Sequence, residues 1–145
     1  MSDQSRPQIV IYALADACAA LAAAAEHGTA ITLVSPAGAA AFAGPTWFRA
    51  VVTQAGAQVP SAKFDCALDC AGDAGLAMAA IREGVPAICF NGPDAARCKI
   101  EDIAAQSGCA IASIDYESAL NLDQCAEPLA TCRAWLAQKL AENEP

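Results

Sequence analysis

The chain of 145 residues carries eight Lys and Arg against sixteen Asp and Glu, for a net charge of −8, and 56% of it is hydrophobic. No run of basic side chains is available to neutralise a phosphate backbone, so nucleic acid is not an expected partner, and electrostatic attachment to a membrane surface fails for the same reason. Only 17% of the residues are charged, so folding leaves apolar surface uncovered, and the chain is expected to associate with itself, most simply as a homo-dimer.

The length fits one domain, with flexible polar tails over residues 1–8 and 142–145. Gln8–Leu14 is a β-branched run suited to a strand buried on both faces. Asp16 is placed to cap the helix that follows to about Glu26, and Gly28 ends that helix with His27 in its last turn, where the helix dipole favours a cation. The span Ile9–Ala25 is apolar, but Asp16 interrupts it and alanine partitions poorly into lipid, so neither a signal peptide nor a membrane span is expected.

Thr29–Val34 reads as the second strand, broken by Ser35-Pro36-Ala37-Gly38. A weak helix over Ala39–Ala43 meets Gly44-Pro45, and a second helical piece follows with Trp47, Phe48, Val51 and Val52. This connection is the longest in the chain. Its aromatic side chains, Phe42, Trp47 and Phe48, are expected to serve as core or interface anchors.

The stretch from Phe64 to Ile81 is the central unit. Asp65–Cys70 is a third strand, a turn follows at Gly72, and Ala74, Ala77, Met78 and Ile81 form one face of a helix closed by Gly84. Pro86–Phe90 is the fourth strand, ending at Asn91-Gly92-Pro93-Asp94. The next helix sets Ala96, Ile100, Ile103, Ala104 and Ser107 on one side and Arg97, Lys99, Glu101, Asp102 and Gln106 towards solvent, before Gly108. Cys109–Ile114 is a fifth, weaker strand, and Asp115–Asp123 a loop. Pro128 opens a last helix striped by Leu129, Cys132, Leu136 and Leu140, with Trp135 alongside.

Strict alternation of strand and helix predicts an α/β fold: an open, doubly wound parallel sheet of five strands with helices on both faces, in the flavodoxin-like order 2-1-3-4-5. The eight cysteines, Cys18, Cys66, Cys70, Cys89, Cys98, Cys109, Cys125 and Cys132, follow the elements rather than a bridging scheme, and no C-x-x-C occurs. Reduced core thiols in a cytoplasmic protein are the expected reading.

Ligands of such sheets bind at the carboxyl ends of the strands, where the order reverses. That rule gathers Asp16, Ser35, Asp69, Cys70, Asp73 and Asn91 as candidate ligand-binding residues, with Asp16 and Asp69 flanking the switch point. Asp16, Asp73 and Asp94 also stand where helix caps are needed. No metal site is expected, since one histidine and no ligand spacing offer little to zinc, and the residues do not say which cofactor, if any, is used. Gly72-x-x-Gly75 opens a helix after a strand, but G-x-G-x-x-G and a Walker A lysine are missing. The repeated strand–turn–helix units resemble those of keto-acid aldolase barrels. Such enzymes need a Schiff-base lysine at a strand end, whereas Lys63 precedes its strand and Lys99 and Lys139 lie on helices.

Two readings of function remain. One is a non-catalytic binding or assembly module that holds a small polar ligand at the strand ends. The other is an enzyme acting on a small metabolite through Asp69 and Cys70, with Mg²⁺ as an aid. A helix N-terminus beside Cys70 would lower its thiol pKa, neighbouring Asp69 and Asp73 work the other way, and a structural Cys70 is the favoured reading.

Overall fold

A computed structural model describes residues 6–142. In chain order the elements are β1 (Gln8–Val10), α1 (Leu14–His27), β2 (Ile31–Val34), α2 (Ala39–Phe42), α3 (Pro45–Gln58) and β3 (Phe64–Asp69). They continue with α4 (Ala74–Glu83), β4 (Ala87–Cys89), α5 (Asp94–Ser107), β5 (Ala110–Ile111), β6 (Leu120–Asn121) and α6 (Pro128–Glu142). Residues 1–5 and 143–145 of the expected tails lie outside the described residues. Of the rest, Gln8 already belongs to β1 and Glu142 to α6. No helix among the described residues is long and apolar enough to cross a membrane.

The class is as expected: an open, doubly wound α/β fold with parallel strand pairs. The strand count and order are corrected. Six strands follow the order β5-β4-β3-β2-β1-β6, in place of five strands in the flavodoxin-like order 2-1-3-4-5. The additional strand is Leu120–Asn121, inside the stretch read as a loop, and it pairs in parallel with β1 through Ile9↔Leu120 and Val10↔Asn121. The neighbour expected to be β3 is therefore β6. The fifth strand shrinks to Ala110–Ile111 because it is an edge: only β4 pairs with it, through Ala87↔Ala110 and Ile88↔Ile111.

By contact the chain divides into two compact units. Among the described residues, one comprises 6–33, 51–64 and 115–142, and the other 34–50 and 65–114. In the first unit α1 packs against α6. Ala17, Ala20, Leu21, Ala23 and Ala24 of α1 are wholly enclosed, as are Cys132 and Leu136 of α6. Small side chains at these helical spacings let two backbones approach closely, and burial of Leu21 and Leu136 adds about 1.5–3 kcal/mol each. Arg133 of α6 donates to both carboxylate oxygens of Glu26 on α1, each at 2.8 Å, so the pair is bidentate. That contact holds the Glu26 carboxyl below its usual range.

In the second unit α4 packs against both α2 and α5. The register Leu68↔Ile88 places two fully buried side chains opposite each other on β3 and β4. Phe48, at the start of α3, is also fully buried and lies 6.2 Å from the Trp47 ring, centroid to centroid. Gly84 ends α4 at φ 88, in the left-handed region where a Cβ is strained, and so returns the chain to β4.

Candidate functional site

The carboxyl ends of β3 and β4 lie in the second unit. β3 ends on Asp69, which is almost wholly buried. Its N–H donates to Ser35 Oγ at 2.9 Å, and its Oδ1 accepts the Ala71 N–H at 2.7 Å. The carboxylate thus folds the chain into an Asx turn, the short-range bond this residue type makes readily. Ala71 sits at φ 52, a left-handed conformation that costs an L-residue roughly 1–2 kcal/mol.

Two backbone bonds tie this turn to the one after β4. Cys70 N–H donates to the Cys89 carbonyl at 2.9 Å, and Asn91 N–H donates to the Ala71 carbonyl at 2.7 Å. A Cβ added to Gly72 would lie 3.6 Å from the Gly92 Cα, so the two glycine backbones run side by side. Helix α4 then begins with Asp73 as its cap, Oδ1 accepting the Leu76 N–H at 3.1 Å. Asp94 lies in the first turn of α5, preceded by Pro93.

Of the six expected ligand-binding residues, Ser35, Asp69, Cys70, Asp73 and Asn91 all belong to this unit. Asp16 belongs to the other one, on the third residue of α1, where its Oδ2 accepts the N–H groups of Tyr12 and Ala13 at 2.9 and 3.1 Å. With β2 between β1 and β3 in the strand order, the switch-point reason for pairing Asp16 with Asp69 falls away.

No family model matches the chain. No curated protein matches it either.

The chemistry of the strand ends is set by burial. Cys70 has no exposed surface, and its thiol is pushed up to about 12, first by burial and then by the Asp69 carboxylate. Burial and the carboxylates of Asp69 and Asp73 thus outweigh any lowering by the helix N-terminus. Cys89, the last residue of β4, is also raised by burial and by Asp69, while an Ile114 backbone contact and the Arg97 charge pull it back. Its Sγ lies 3.8 Å from Asn91 Oδ1. Among the described residues no group of three or more His, Cys, Asp or Glu is placed to hold a metal ion.

Arg97 escaped the reading of the sequence, which set it towards solvent. It is only partly exposed, and its Nε is enclosed with no hydrogen-bond partner. The signal was present in the spacing. Positions 97, 100 and 104 share one helical stripe, and Ile100 and Ala104 are both buried.

Proposed function

We propose that this chain is a non-catalytic binding or assembly module of the cytoplasm, working as a homo-oligomer and holding a small polar ligand at the carboxyl ends of β3 and β4. One observation carries the reading: the side chains a reaction would need are engaged in holding the two turns. Asp69 bonds the Ala71 N–H, Asp73 caps α4, and Ser35 Oγ accepts the Asp69 N–H. Catalysis through Cys70 would require removing a proton from a thiol raised to about 12, with no imidazole supplied by the turn.

The ligand part is supported by the exposed backbone and polar side chains at Ala71, Gly72, Asp73 and Asn91. Self-association is supported by Phe42 on α2, which leaves 70% of its surface in solvent. The compartment is supported by eight cysteines that all carry free thiols.

The test is the fate of a bound compound. Polar metabolites that raise Tm are incubated with the protein and followed by one-dimensional NMR. Recovery of the compound unchanged, with binding weakened by changes at the strand ends, is the expected result. Conversion of the compound that disappears in Asp69→Asn would overturn the non-catalytic reading.

A further inference from the structure

We propose that Asn91 is a site of self-modification: the Gly92 backbone nitrogen attacks the Asn91 side-chain amide, leaving an isoaspartate or aspartate beyond the end of β4. This goes past the binding reading given above and does not depend on it.

Asn91 and Gly92 lie in the bend between β4 and α5. Packing requires glycine at the second position. A Cβ on Gly92 would run into the ring of Phe90, which is buried. The residue after Asn91 therefore has no side chain to shield its nitrogen. That nitrogen is also uncommitted, since among the described residues the Gly92 N–H meets no hydrogen-bond acceptor. Asn91 itself is exposed, so water reaches its amide. Its Oδ1 lies 3.8 Å from the Cys89 thiol, a weak donor that burial keeps protonated and that draws electron density from the amide carbon.

Asn121, the other asparagine among the described residues, is built the opposite way. Its Oδ1 accepts the Asp123 N–H at 2.9 Å, the next residue, Leu122, is buried, and the Leu122 N–H donates to the Val10 carbonyl at 3.2 Å.

The reaction needs water alone as co-reactant. The Gly92 nitrogen bonds to Asn91 Cγ, the Cγ–Nδ2 bond breaks, and the side-chain nitrogen leaves as ammonia with the Gly92 proton. Water then opens the cyclic imide. Opening at the side-chain carbonyl gives aspartate, and opening at the main-chain carbonyl gives isoaspartate, with the chain routed through Cγ. Either product adds a carboxylate to strand ends that already carry Asp69, Asp73 and Asp94, where like charges repel. Isoaspartate also lengthens the main chain where the Asn91 N–H meets the Ala71 carbonyl at 2.7 Å and the Gly72 and Gly92 backbones run side by side. The product is thus a second, less stable form of the same strand end.

The experiment incubates folded protein in mildly alkaline buffer, digests samples with trypsin and follows the peptides by chromatography and mass spectrometry. Cleavage after Arg82 and Arg97 releases Glu83–Arg97, in which Asn91 carries the only side-chain amide. That peptide should lose its parent mass with time and yield two acid products, isoaspartate among them. Ile100–Arg133, which holds Asn121, should stay unchanged over the same period. Aged protein should melt several degrees below fresh protein. Asn91→Gln, whose longer side chain closes a ring more slowly, should abolish both the mass change and the drop in Tm. A Glu83–Arg97 peptide that stays intact in the folded protein, even if it reacts after unfolding in urea, refutes the site. Aspartate without isoaspartate refutes the cyclic route, and equal Tm for aged and fresh protein refutes the less stable form. Should Asn91→Gln not fold, the wild-type peptides decide alone.

Discussion

Ser35 Oγ accepts the backbone N–H of Asp69 at 2.9 Å, joining two buried residues 34 positions apart in the chain. The same hydroxyl donates to the Pro36 carbonyl at 3.0 Å, so one side chain holds the end of β2 and the end of β3 together. Removing the oxygen takes the acceptor from a buried donor, which costs about 1–3 kcal/mol. Ser35→Ala should therefore lower Tm by several degrees, measured by calorimetry. A Tm equal to wild type would show that this bond contributes nothing.

Ala71 is strained where glycine would not be. Its φ of 52 places it in the left-handed region, and its side chain is exposed, so the methyl group gives little packing in return. Ala71→Gly should stabilise the protein by up to about 1 kcal/mol, the relief of strain exceeding the added backbone entropy of the unfolded chain. Urea denaturation measures the difference, and a lower midpoint for the glycine variant would refute the strain argument.

The buried thiols should make the fold sensitive to alkali. Cys66, Cys70 and Cys132 are each pushed up to about 12 by burial, whereas in the unfolded chain they titrate at about 8.5. Above that lower value the unfolded state loses protons that the folded state keeps, so unfolding is favoured as pH rises. Full stability is expected below about pH 8.5, followed by a progressive loss towards pH 12. Cys132→Ala should flatten that decline relative to wild type in a series of Tm measurements against pH.

Phe42 offers the cleanest probe of self-association, since 70% of it faces solvent while Phe48 is wholly buried. Phe42→Ser should leave Tm at low concentration nearly unchanged and shift the mass seen by light scattering towards the 14.7 kDa monomer. A wild-type protein already monodisperse at that mass would remove the assembly part of the proposal.

Much of the architecture was legible because its cues are local. Glycines at positions 28, 84 and 108 stop three helices in the left-handed conformation, and the apolar spacing found Ala77 and Ile81 of α4 and Cys132 and Leu136 of α6, which are buried, though Ala74 of the same α4 stripe is exposed. The strand order was not legible, since Leu120–Asn121 is too short to show any periodicity and pairing partners leave no local trace. The strand-end rule named Ser35, Asp69, Cys70, Asp73 and Asn91 as candidates because it depends only on where strands stop, and all five fall in one compact unit. Asp16 accepts from the two amides just ahead of its own helix, a local role that its place at a helix start also suggested. Arg97 was assigned to solvent by residue type, although its position falls on the buried stripe of α5.

The alanines sealed into α1 bear on how the protein responds to temperature. A methyl group withdraws far less apolar area from water than a leucine or phenylalanine side chain, and the heat-capacity change of unfolding follows that area. Per residue, this chain should fall below the usual value of about 12–15 cal/mol/K. Its stability curve is then shallow, and cooling weakens the fold only slowly, moving cold denaturation far below the freezing point of water.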